Sequence, residues 1–237
     1  MLGFYNSLLS AVAHEFKTPL AVLIAAADSL LDDRNPSSPH HQKILLQEIS
    51  GAAMALNRYV GNILDSSRLE AGCQPVKKDW TDISELIHEA LFSLQGIEET
   101  HYIKVETEKD CPLFLLDKRL TEQAIRQILQ NAALYTPPHS EIRVKAGKDG
   151  EELVVNISDN GPGFRADGIE KVFDRFYRFE KNNVKGTGLG LYISKGFVEA
   201  QGGSIDLENI PGGGASFTLR FPSPSYYTTK NLTYEPA

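Results

Sequence analysis

Cysteine is nearly absent. Cys73 and Cys111 are the only two in 237 residues, too few and too far apart for a disulfide framework or a zinc cluster. Positive charge is not in excess either, with 24 Lys and Arg against 31 Asp and Glu, a net −7. Without a basic run, nucleic-acid binding through phosphate contacts is a poor fit. The longest unbroken apolar run, Leu20 to Ala27, falls far short of the ~20 residues that span a bilayer. No basic-then-apolar leader precedes it, so secretion is not expected. What is present, 41% apolar and 23% charged residues, is a globular composition. The length suits one large domain or two ordinary ones of ~100–150 residues. The expectation is a soluble, cytoplasmic protein with no membrane segment in this chain.

From about Phe4 to Arg34, residues Leu9, Ala13, Phe16, Leu20, Leu23, Ala27 and Leu30 recur in alternating steps of four and three, a heptad seam. Asn35-Pro36-Ser37-Ser38-Pro39 interrupts it, because two prolines among small polar residues cannot continue a helix. A second seam follows through Leu46, Ile49, Ala53, Leu56, Val60 and Ile63. Two long helices with a short connection make an antiparallel hairpin. One hairpin leaves its far side uncovered, and two copies packed as a four-helix bundle solve that. A homodimer is therefore expected, the alternative being a hairpin packed onto the rest of its own chain.

Beyond Gly72 the pattern changes. Asp82-x-x-Glu85 reads as a capping box opening a helix that buries Leu86, Ile87, Ala90, Leu91 and Leu94. A strand is expected at Tyr102–Thr107, then a helix over about Lys118–Tyr135 with Leu120, Ala124, Ile128 and Leu129 inward. Strands follow at Ile142–Ala146 and Leu153–Ser158. After a glycine-rich middle come a helix near Leu189–Ala200 and strands at Ser204–Leu207 and Ser216–Phe221. This interleaving predicts a mixed sheet with helices on one face. The organisation expected is a helical hairpin over 1–73, an α/β domain over 74–223 and a loose tail over 224–237.

Two sets of residues carry chemistry. His14-Glu15-Phe16-Lys17-Thr18-Pro19-Leu20 sits in the first helix. His14 lies one step past the seam, so its imidazole is expected to face solvent, with Lys17 and Thr18 beside it. Pro19 removes a backbone donor and is expected to bend the helix. A neutral imidazole is a nucleophile, and a neighbouring carboxylate can hold the other ring nitrogen's proton. Taken alone, an ordinary surface histidine is the plainer reading of His14.

The second set decides the matter. Gln130-Asn131-Ala132 comes late in a helix, Asp159-Asn160-Gly161-Pro162-Gly163 follows a strand, and Gly186-Thr187-Gly188-Leu189-Gly190-Leu191 opens a helix. A buried Asp at a strand end can accept a hydrogen bond from an exocyclic amine such as that of adenine. Gly161 and Gly163 let backbone approach a ring. The later glycines leave amides free for phosphate, and Asn131 offers a neutral oxygen to Mg²⁺. There is no G-x-x-x-x-G-K-[ST], and the later glycines do not complete a Rossmann turn.

With these motifs in order, the chain resembles the catalytic part of a bacterial sensor histidine kinase. HEFKTPL resembles the phospho-acceptor box, QNAALYT the N box, DNGPGF and GTGLGL the glycine boxes, and FDRFYR (Phe173 to Arg178) the phenylalanine box. The resemblance implies an α+β protein: a dimeric four-helix bundle followed by an α/β sandwich ATP-binding domain of the gyrase–Hsp90–kinase–MutL type. It implies ATP and Mg²⁺ as cofactors, with His14 phosphorylated, Glu15 its acid–base partner and Thr18 orienting water in a phosphatase reaction. It implies nucleotide contacts from Asn131, Tyr135, Asp159, Gly161, Gly163, Thr187, Gly188, Leu189 and Gly190, and from Gly186 in the same box. Tyr177 to Lys185 falls where the family has its lid. A response-regulator receiver domain is the implied partner.

The short lid and Gly202-Gly203-Ser204-Ile205 resemble potassium-responsive sensor kinases. With about a dozen residues before His14, the chain is expected to be part of a longer sensor. Two positions depart from the family pattern. Gln127 stands where another Asn is usual and Leu134 where Lys is frequent, and Arg178, Lys181 or Lys185 are the candidate replacement cations. Loss of such a cation costs ~2–4 kcal/mol in a phosphoryl-transfer barrier. Those departures leave open a nucleotide-gated scaffold that engages a receiver without phosphorylating itself. A topoisomerase-like or chaperone-like ATPase is disfavoured by the hairpin.

Overall fold

The computed structural model describes residues 2–32, 38–94, 96–165, 167–178 and 187–227; the side chains of residues 2–12 and of His14 lie outside the described set. Two helices lead, α1 (Leu2–Leu31) and α2 (Pro39–Glu70). Ser38 caps α2 by accepting from the His41 amide, with Pro39 in the first turn, where a missing N–H costs nothing. Pro19 lies inside α1 and is buried, and the helix continues through it.

Within one chain the hairpin's internal face on α2 is offset by one position from the seam. Leu45, Ala52 and Ser66 are buried there, whereas Leu46, Ala53 and Val60 are exposed and Ile49, Leu56 and Ile63 are half-buried. On α1, Glu15, Pro19 and Ala26 are buried while Leu20 is exposed. The two helices thus meet along one edge of the apolar stripe and leave the other edge uncovered.

After Gly72 the chain enters an α/β sandwich. Its five-stranded sheet has the order β2 (Tyr102–Thr107), β4 (Glu141–Asp149), β5 (Glu152–Asp159), β7 (Ala215–Pro222), β6 (Ser204–Asn209). Strands β2 and β4 are parallel and the other neighbours antiparallel, so the sheet is mixed as expected. Helices α3 (Ile83–Ser93), α5 (Lys118–Tyr135) and α6 (Gly190–Glu199) cover it. One turn of helix, α4 (Ile97–Thr100), precedes β2. Alternating burial along β5 gives its inward row Leu153, Val155 and Ile157 to the core. The inward residues expected of α5, Leu120, Ala124, Ile128 and Leu129, are fully buried.

A second sheet was not expected. It joins β1 (Asp79–Thr81), β3 (Leu113–Leu116) and β8 (Ser225–Tyr226). Strands this short carry no legible alternation. The pairing Leu113↔Tyr226 and Phe114↔Ser225 ties down residues expected to belong to a loose tail. Trp80 is about half exposed on β1, its ring 6.0 Å from that of Tyr226.

Candidate active site

Helix α5 presents Gln127, Asn131 and Tyr135 at four-residue spacing, hence on one face. Its start is fixed by Asp117, whose carboxylate accepts from the Leu120 amide at 3.0 Å and the Lys77 amide at 2.7 Å. Its end is closed by Thr136, whose hydroxyl donates to the Ala132 carbonyl at 2.8 Å. Asn131 is half-buried, and Tyr135 is partly exposed with burial pushing its phenol up.

Asp159 closes β5 with 9% of its surface exposed. It accepts from the Gly161 amide at 2.9 Å. Burial raises its carboxyl above the ordinary value, against the lowering effect of hydrogen bonds from the Gly161 and Ala215 amides. A Cβ on Gly161 would stand 2.5 Å from Thr136 Cγ2 and 3.0 Å from Asp159 Oδ1, so only glycine lets the loop pass this close to α5. Gly163 continues the loop, beside Asn209 and Gly214.

The second glycine cluster docks on the phenylalanine box. The Phe176 amide donates to the Gly188 carbonyl at 2.9 Å. Gly188 has φ +68°, and a Cβ there would lie 2.7 Å from the Phe176 backbone. Leu189 is fully buried, and its amide donates to Thr187 Oγ1 at 3.4 Å. Helix α6 starts at Gly190 with no side-chain cap, leaving first-turn amides as an anion site. Gly186, Lys181 and Lys185 lie outside the described residues.

The acceptor box approaches this cradle. Glu15 is 7% exposed, yet it pairs across the domain boundary with Arg178, Nη1 to Oε1 at 3.1 Å. Its Oε2 accepts from the Tyr59 hydroxyl of α2 at 3.4 Å. Arg178, expected to face phosphate oxygens, is thus held by the acceptor helix in this structure. The reason is charge: a nearly buried carboxylate needs a cationic or hydrogen-bonded partner. Thr18 is half-buried on the same helix, and the side chain of His14 falls outside the described set.

Three further contacts seat the hairpin's foot on the ATP-type domain. Gln127 Nε2 donates to Asn62 Oδ1 at 2.9 Å, Arg175 pairs with Glu70, and Leu69 fills the space a side chain at Gly196 would need. The unusual Gln127 therefore bridges the two domains. Nothing in the sequence marked Tyr59 or Asn62, and the phenylalanine box that contains Arg175 did not point to Glu70, since each acts through a residue far away in the chain.

Residues 5–72 match the His Kinase A (phospho-acceptor) domain. Residues 116–225 match the histidine kinase-, DNA gyrase B-, and HSP90-like ATPase. Fold and site therefore define a phospho-acceptor hairpin joined to an ATPase domain. The chain is 35% identical over 220 residues to Sensor protein KdpD of Escherichia coli, covering 92% of this chain and 24% of that protein. This agrees with the resemblance to potassium-responsive sensor kinases. Full-length ShkA in complex with AMPPNP superposes with a TM-score of 0.68 at 23% identity, covering 94% of this chain and 47% of that one. Histidine kinase ThkA in complex with response regulator protein TrrA gives 0.65 at 19%, covering 94% and 63%. The chain belongs to the sensor histidine kinases, and it spans about a quarter of the length of the curated relatives it matches.

Proposed function

We propose that the chain phosphorylates itself on His14 with ATP and passes the phosphoryl group to an aspartate of a response-regulator receiver domain. The observation that carries this reading is the Glu15–Arg178 pair at 3.1 Å, because it brings the acceptor box against the nucleotide-binding half of the chain. Asp159 would accept from the adenine amine, Tyr135 would pack beside the ring, and the backbone at Gly161 and Gly163 would border it. The amides opening α6 and the Gly186-Thr187-Gly188-Leu189-Gly190 turn would hold phosphate oxygens.

The site suits such a ligand: a nearly buried carboxyl, glycines with no room for a Cβ and an uncapped helix start. Among the described residues no cluster of His, Cys, Asp and Glu could hold a metal by itself. Asn131 would hold a Mg²⁺, which would offset phosphate charge. With Leu134 in place of a cation, Arg178 or Lys185 would supply the remaining positive charge.

A ring nitrogen of His14 attacks the γ-phosphorus; the N–P bond forms, the bond to the bridging oxygen breaks and ADP leaves. Glu15 takes the proton from the other ring nitrogen. The receiver's carboxylate oxygen then attacks the same phosphorus and breaks the N–P bond. Thr18, three residues after Glu15, would orient water for dephosphorylation of the receiver. The ThkA–TrrA complex supports a receiver as partner. The exposed edge of the hairpin, with Leu20, Ile24, Leu46, Val60 and Leu64, supports a homodimer.

Incubation with γ-labelled ATP tests the reading. The expected product is a label stable to alkali, labile to acid and absent from His14→Gln. Equal labelling of His14→Gln would overturn the assignment, and ATP binding without label would make the chain a scaffold.

A further inference from the structure

Glu15 is held from two directions by groups on different parts of the chain. Arg178 belongs to the ATP-binding domain and touches Oε1, whereas Tyr59 belongs to α2 and touches Oε2. The Tyr59 ring is fixed without its hydroxyl, because it packs edge-on against Phe16 at 6.0 Å with an interplanar angle of 62°. Only the oxygen reaches the carboxylate. Burial first, then the charge of Glu15, keep the phenol protonated, so it acts as donor. The charged and titratable groups around this pair are Arg58 on α2, Arg178 and, on α5, Tyr135.

We propose that Tyr59 is a positioning residue for phosphorylation of His14: its hydroxyl holds the Glu15 carboxylate in place when Arg178 withdraws. The inference rests on Glu15 being the proton acceptor proposed above. Arg178 is also the cation proposed above to supply positive charge at the phosphates, and leaving Glu15 for that task would otherwise strand a nearly buried carboxylate without a donor. A Tyr at position 59 travels with the acceptor box and keeps one oxygen engaged. The other oxygen is then left to receive the imidazole proton.

The test compares Tyr59→Phe, Tyr59→Leu and Glu15→Gln in the full chain, measuring initial autophosphorylation at saturating and limiting ATP. Tyr59→Phe retains the ring contact with Phe16, and its thermal unfolding is followed alongside. The expected result for Tyr59→Phe is a loss of about 10-fold in kcat with an unchanged KM for ATP. Tyr59→Leu should repeat the kcat loss. A wild-type kcat in Tyr59→Phe overturns the proposal while a slow Glu15→Gln leaves the Glu15 reading standing. A wild-type rate in Glu15→Gln overturns both.

Discussion

Asp159 illustrates how a residue proposed to bind nucleotide is kept at a cost to the fold. Its carboxyl is raised by burial, with the Gly161 and Ala215 amides opposing. A carboxyl whose folded value lies above the unfolded one favours the fold at low pH and loses that contribution as pH rises through the folded value. The Asp159 contribution should therefore be lost as pH climbs from below 3.8, a loss that Asp159→Asn, which cannot ionise, should not share. Thermal melts across pH should find the variant more stable at pH 7, with the gap closing toward acid. Its ATP affinity should meanwhile fall by at least about 10-fold. A less stable variant at pH 7 would mean the amide bonds outweigh burial. Asp159 could be picked out in the sequence because strand alternation ends in D-N-G-P-G. Tyr59 could not, since a tyrosine on an amphipathic helix looks like any other packing residue until α1 is laid against it.

Among the elements, α5 has the largest task, presenting Gln127, Asn131 and Tyr135 while forming the middle of the helical layer. Its position depends on Asp117, 3% exposed, whose two oxygens receive the Leu120 and Lys77 amides while its own amide donates to Gln201 Oε1 at 2.8 Å. Asp117→Ala strands the buried Leu120 amide and the part-buried Lys77 amide and should cost about 2–4 kcal/mol. Urea unfolding should register this as a lower midpoint with an unchanged slope, and a loss under 1 kcal/mol would show that water replaces the cap. The bounds of α5 and the places of the five sheet strands, though not all their ends, were readable because periodicity and end signals agree there. The β1–β3–β8 sheet was not. Its register comes from the Phe114 and Leu115 backbone meeting residues 223–226, a long-range pairing with no local signature.

For the whole molecule, the offset between the apolar seam and the face buried within one chain matters most. Leu20 on α1 and Val60 on α2 remain largely exposed, on the uncovered edge of the hairpin. The double variant Leu20→Lys/Val60→Lys should run as a monomer by light scattering where the parent is a dimer. An unchanged mass would place the interface elsewhere. The hairpin and the sandwich, the helical layer and the order of the boxes are legible in the chain of residues alone. Each of these rests on short-range periodicity, capping or glycine spacing within one segment. That Arg178 turns to Glu15, that Gln127 reaches Asn62 and that Tyr59 stands behind the acceptor box emerges only on folding. Those contacts join residues 44 to 163 positions apart. Their formation depends on which faces the two domains bring together, and no local pattern encodes that.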